Sequence, residues 1–276
     1  MQGMTARLPR HVSAGVLALM LGGACLNAQT TPEAPPPKYD GGKTFPVPNA
    51  QSTPEGTPEE KFKALIQEAQ TLEARKRYLD ALEKLDEAEK IDDKKPEVHN
   101  IRGAIYLSSQ LRDFDKARAE FEMARQMNPE ALPPLFNLAE ANYIQGLYAE
   151  GEKGFAGVVA KFPKIPQNVR HMILFKELVC LVKQDKLAEA NKLMTDSFTF
   201  MDDTPAFYFS KAVLALQAKD EKGGNKWLAK AQVIFKKHET SAYLDTMLEG
   251  KYIDSISVAG SGEEEKAGKA PAEGAK

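Results

Sequence analysis

A small residue followed four positions later by a large apolar one recurs five times along this chain: Ala81 with Leu85, Ala117 with Phe121, Gly151 with Phe155, Ala190 with Met194, and Gly224 with Leu228. The small residues are 36, 34, 39 and 34 positions apart. A spacing of four puts both members on one face of a helix, and a small side chain there lets a second helix cross closely. A third residue, seven after the first, extends the stripe as Ala88, Ala124, Val158, Ser197 and Ala231. A period near 35 residues leaves room for two short helices and their turns. Such a pair cannot bury its own apolar face, so neighbouring units must stack.

The flanking residues repeat as well. Tyr78, Phe114, Tyr148, Leu187 and Glu221 stand three before each small residue, and "NIRGAIY" and "FNLAEANY" occupy matching upstream places. Pro129 and Pro163 close successive units as "MNP" and "KFP". This pattern resembles the tetratricopeptide repeat over about residues 60 to 235, most closely in units two and three, residues 96–163. The resemblance implies an all-α chain: a right-handed α-solenoid of about five helix pairs. The stretch "VIFKKHETSAYLDTMLEGKYI" then supplies a C-terminal capping helix, and the repeat domain spans residues 59–256. Longer turns are expected at "LSSQLRDFDK" and "TDSFTFMDDTP".

The ends have a different character. Arg7 and Arg10 precede the apolar run "VSAGVLALMLGGAC", with no acidic residue before Glu33. A basic start, a short apolar run and small residues describe a secretory leader, and the run is too short to span a bilayer. Two cleavage points fit. A cut after Ala28 gives a leader of residues 1–28. A cut before Cys25 resembles lipoprotein processing with that cysteine acylated, although Gly22 stands where leucine is usual. Either leader predicts export, to the periplasm or the outer membrane, with Cys25 as the one route to a membrane. Residues 29–58 and 257–276 are rich in Pro, Gly and polar residues and read as disordered spacer and tail.

Losing the leader removes two arginines and no acid, taking the basic count from 37 to 35 against 39 acidic residues. No basic field for nucleic acid exists. Cys180, inside "LVCLV", reads as a buried structural thiol without a disulfide partner. His99, His171 and His238 fall on different units without a second ligand at metal spacing. "EKGGNKW" lacks the partners of a phosphate loop, and the charges of "LDALEKLDEAEKIDD" read as a solvated face. No catalytic residue, metal or cofactor is expected.

What remains is the concave groove that the resemblance implies, lined by the first helix of each unit. One column reads Ile66, Asn100, Phe136, Phe175 and Phe209; a second reads Gln70, Ala104, Glu140, Val179 and Val213; a third reads Glu73, Leu107, Tyr143, Val182 and Leu216. Relatives that clamp chaperone tails carry Lys and Asn in the first two columns. Only Asn100 matches here and no lysine stands in any column, so the resemblance does not extend to that clamp. The expected groove residues are Asn100, Phe136, Glu140, Tyr143, Phe175, Val179, Phe209 and Val213, receiving a peptide or helix of another protein. Two other arrangements stay open: the aromatics pack as core, against one another or the terminal helix, or the groove or stack ends receive another copy. An enzyme or glycan binder needs converging polar groups that the sequence does not show. The function expected is therefore a non-enzymatic scaffold of the cell envelope.

"YIQGLYAEGEKGFAGVVAKFP" carries four glycines. Gly146 is expected in a turn at positive φ and Gly151 in the small slot, while Gly154 and Gly157 have no explanation from the repeat.

Overall fold

The computed structural model describes residues 56–254, and the leader, Cys25, the spacer up to residue 55 and the tail from residue 255 lie outside them. The described residues form eleven helices and no strand. Five antiparallel pairs follow in order: α1 (Pro58–Ala74) with α2 (Tyr78–Ile91), α3 (Pro96–Leu107) with α4 (Phe114–Met127), α5 (Leu132–Gln145) with α6 (Tyr148–Lys161), α7 (Gln167–Lys183) with α8 (Leu187–Ser197), and α9 (Ala206–Gln217) with α10 (Glu221–Ile234). A final helix, α11 (Lys237–Glu249), completes the stack. The expected α-solenoid of five pairs with a terminal helix is what forms.

Local signals set the helix boundaries. Thr57 caps α1 reciprocally with Glu60, satisfying backbone donors at both positions. Prolines sit in the first turn of α1, α3 and α5, where a missing N–H costs nothing, and Pro129 and Pro163 follow α4 and α6. Each turn inside a pair places one residue in the left-handed region: Lys76, Arg112, Gly146, Asp185 and Lys219. Only the third unit uses glycine there, at φ +85°, as its sequence predicts.

The small-large register is the core. Ala81, Ala117, Gly151, Ala190 and Gly224 are all buried, with Leu85, Phe121, Phe155, Met194 and Leu228 beside them. Burying one such large side chain contributes about 1.5–3 kcal/mol. Gly154 also has a reason the repeat alone did not give. A Cβ there would lie 2.7 Å from the Ala139 Cβ, so α5 and α6 approach too closely for alanine. A Cβ on Gly157 would meet nothing within 4 Å.

The stack is not uniform. Each second helix packs on the next first helix at the α2–α3, α4–α5 and α6–α7 junctions, but α8 does not pack along α9. Helix α8 has 11 residues where the other second helices have 14, and its register ends at Ser197, which is only half-buried. Phe198 is buried in its stead. The connection from α8 to α9 covers 198–205, twice the length of 92–95 or 128–131 at earlier junctions.

Candidate partner-binding faces

The first helices α5, α7 and α9 turn a common inner face toward α11. Phe136, Phe175, Val179, Phe209 and Val213 project from that face, and all are buried. Helix α11 lies against it through Tyr243, Leu244 and Met247. The Tyr243 ring centroid is 5.1 Å from those of both Phe175 and Phe209, and the two phenylalanines are 6.1 Å apart. Phe136 packs instead on Phe155 of its own unit, at 5.8 Å. The aromatics therefore pack on one another and, in the later units, against the terminal helix. All eight expected groove residues are buried.

Polar contacts fix α11 in register. The Tyr143 hydroxyl donates to the Thr246 carbonyl at 2.5 Å. Lys176 Nζ donates to Glu140 Oε1 and to Thr246 Oγ1, each at 2.8 Å, and both members of that ion pair are buried. The Lys176 ammonium also lies 5.6 Å from the Tyr143 ring centre. At the helix end, Arg112 Nη2 donates to both carboxylate oxygens of Glu249 at 2.9 Å. Burial drives the Tyr143 phenol well above its usual range, with the Glu140 carboxylate adding to the effect.

Sequence reasoning missed Lys176. It stands one residue past the first column, so no column contains it, yet its stem carries the ammonium back to Glu140. A lone lysine inside "HMILFKELVCLV" with a glutamate one unit earlier was the available signal. Next to this pair, Asn137 Nδ2 donates to Asn100 Oδ1 at 2.9 Å. Asn137 Oδ1 and Glu140 Oε2 are buried acceptors without a hydrogen-bond partner.

The histidines, cysteine and charge run singled out by the sequence each sit in defined contacts. His99 sits between Glu120, 2.7 Å from its Nδ1, and Glu89, while Arg102 joins Asp86 and Glu89 at 2.8 Å. This ionic cluster ties α2, α3 and α4 together, so Asp86 and Glu89 are more than the solvated face their spacing suggested. The Arg102 hydrogen bond holds the Glu89 carboxyl below its ordinary range. His171 Nδ1 is 2.8 Å from Thr204 Oγ1, and burial lowers its pKa. Cys180 is buried as expected, and desolvation pushes its thiol far up, away from reactive thiolate chemistry. Among the described residues no group of three or more metal-ligating side chains gathers, and no helix is long and apolar enough to cross a membrane.

A second face was not anticipated. Around the α8–α9 connection and α10, an open cleft of about 730 Å³ is lined by Phe200, Phe207, Tyr208, Trp227, Val233 and Ile234, with Lys226 and Lys230 at its edges.

No family model matches the chain, and no curated protein matches it by sequence. Solved structures match by shape. A tetratricopeptide repeat protein from Parabacteroides merdae is similar at a TM-score of 0.52 and 18% identity, over 67% of this chain and 71% of its own. PilF of Pseudomonas aeruginosa is similar at 0.53 and 15% identity, over 73% and 88%. PilW, a widely conserved type IV pilus biogenesis factor, is similar at 0.53 and 19% identity, over 72% and 88%. At these identities the likeness is one of fold.

Proposed function

We propose that this chain, which has the tetratricopeptide-repeat fold, is a non-enzymatic interaction scaffold of the cell envelope whose inner face binds a helix of a partner protein. One observation carries the reading: the inner face already holds a helix. Helix α11 fills it with an aromatic ring, two aliphatic side chains and a backbone carbonyl, so the face is shaped for an amphipathic helix. A partner helix with the same spacing as Tyr243, Leu244 and Met247 takes the place of α11. Glu140, Tyr143, Phe175, Val179, Phe209 and Val213 then form its bed, while Asn100 and Phe136 keep the partners they have within the stack.

The envelope part of the proposal rests on the leader and on the fold shared with the pilus factor PilW. The role of that protein is its own. Mass of the mature chain purified from cells tests export, with a start at Gln29 or an acylated Cys25 expected and an intact Met1 overturning it.

The groove is tested with a synthetic peptide of residues 237–249 as probe. In full-length chain carrying Tyr243→Ser and Met247→Ser, α11 is loosened and the added peptide binds in trans. Wild-type chain, its face occupied, binds it at least about tenfold more weakly. A variant that keeps its helical circular dichroism yet ignores the peptide overturns the reading.

A further inference from the structure

The cleft beside α10 is independent of the inner face, since none of its lining residues touches α11 through a ring contact or hydrogen bond. Its origin lies in the opened α8–α9 junction. At a closed junction a second helix covers the outer side of the next first helix; here the eight-residue connection leaves Phe207 and Tyr208 partly uncovered. The rings form a continuous floor: Phe207 to Trp227 at 6.0 Å, Tyr208 to Trp227 at 6.2 Å and Phe200 to Phe207 at 6.4 Å between centroids. The cleft is open, with Phe200 66%, Val233 88% and Ile234 55% exposed, and Met201, next to Phe200 in the chain, is 79% exposed.

The repeat register shows how far this unit departs from the others. Trp227 holds the place of Lys84, Glu120 and Gly154, and Val233 that of Lys90, Gln126 and Ala160. In the first three units these places are polar or small; the fourth has Leu193 and Thr199 there, and only the fifth sets large apolar residues at both. The charged residues of the lining are both lysines: Lys226 and Lys230, whose Nζ lies 4.4 Å from the Trp227 ring centre, while Lys211 Nζ lies 5.7 Å from that of Phe207. The lining contains no carboxylate.

We infer that this cleft is a second docking site, for a protein segment that carries an aromatic or long aliphatic anchor flanked by Asp or Glu. The anchor stacks on the ring floor, where one buried side chain supplies much of the binding energy, and the flanking carboxylates pair with Lys226 and Lys230. A sugar fits less well, because the lining has no carboxylate or amide side chain to bracket its hydroxyls. A lipid surface fits less well too: the site is concave, and exposed Asp203 stands two residues from Met201.

Trp227 is the single tryptophan of the chain, so its fluorescence reports on the cleft alone. The probe is a random peptide library of about twelve residues displayed on phage, selected against the full chain. Selected peptides are expected to share an apolar anchor with adjacent acids, to shift Trp227 emission to the blue, and to weaken as salt rises. Trp227→Ala weakens them at least about tenfold. Lys226→Glu with Lys230→Glu, at exposed positions that leave the fold intact, weakens them several-fold and keeps the test valid should the tryptophan variant misfold. No enrichment, basic or purely apolar consensus peptides, or binding indifferent to both variants overturns the inference. A larger emission shift with anionic phospholipid vesicles, with rising protein concentration, or on deletion of residues 255–276 overturns it in favour of a membrane, a second copy or the chain's own tail.

Discussion

Phe207, Tyr208 and Phe209 are three consecutive rings on one helix with opposite surroundings. Successive residues of a helix are turned by about 100°, so Phe209 meets Phe175 and Tyr243 on the inner face while its two predecessors join Trp227 in the cleft. Both sets are aromatic, and both stand near a lysine. What separates them is a covering element. Helix α11 closes the inner face; α8 is too short and too far from α9 to close the other. In a stacked fold, one shortened helix converts a seam into a surface.

The contrast can be broken by substitution, and the largest effects belong on the covered side. Phe209→Ala empties a fully buried site and is expected to cost about 3–5 kcal/mol in denaturant unfolding. Loss below about 1 kcal/mol would show that α11 does not truly seal the face. Lys176→Met leaves the Glu140 carboxylate buried beside Thr246 without its cation, for a loss of about 3 kcal/mol. Adding Glu140→Leu to that variant is expected to recover most of the loss, as a double-mutant cycle will show.

A smaller effect has the opposite sign. Burial, helped by the Glu152 carboxylate, raises the Glu177 pKa to about 7. The folded chain therefore holds this proton more tightly than the unfolded one. The stability it contributes is fully present below the unfolded value near 4.5 and is lost as pH rises through 7. Glu177→Gln should match wild type near pH 4.5 and exceed it by about 1–2 kcal/mol at pH 8. Thermal unfolding across that range checks the sign. Smallest of all, Phe200→Ser on the open rim should change stability by less than about 0.5 kcal/mol while reducing peptide capture.

The sequence announced the covered architecture better than the uncovered one. Five small-large pairs placed every helix pair because close crossings demand small residues whatever surrounds them. Gly146 was readable for a similar reason: a left-handed turn is a local demand. Gly154 was not, since its neighbour Ala139 belongs to another helix and the distance between them is a property of the pair. The groove columns fall on the first helices, yet their exposure depended on where α11 came to rest, which no repeat pattern records because α11 stands outside the repeat. Lys176 escaped because it stands outside every column, and only its long stem brings the ammonium to Glu140. The cleft escaped because its cause is a missing contact, and a sequence pattern records contacts that recur.

The docking of α11 also sets an order of events. Contacts elsewhere in the stack join neighbouring units, so each pair can form as soon as it is made. The Tyr143–Thr246 bond spans 103 positions and the Arg112–Glu249 pair 137. These closures carry the greatest loop-entropy cost in the fold and come last. Until that last helix docks, Phe175 and Phe209 lack their shared contact with Tyr243, and Lys176 lacks its bond to Thr246, so the latest-formed closure is also the one that completes the inner face.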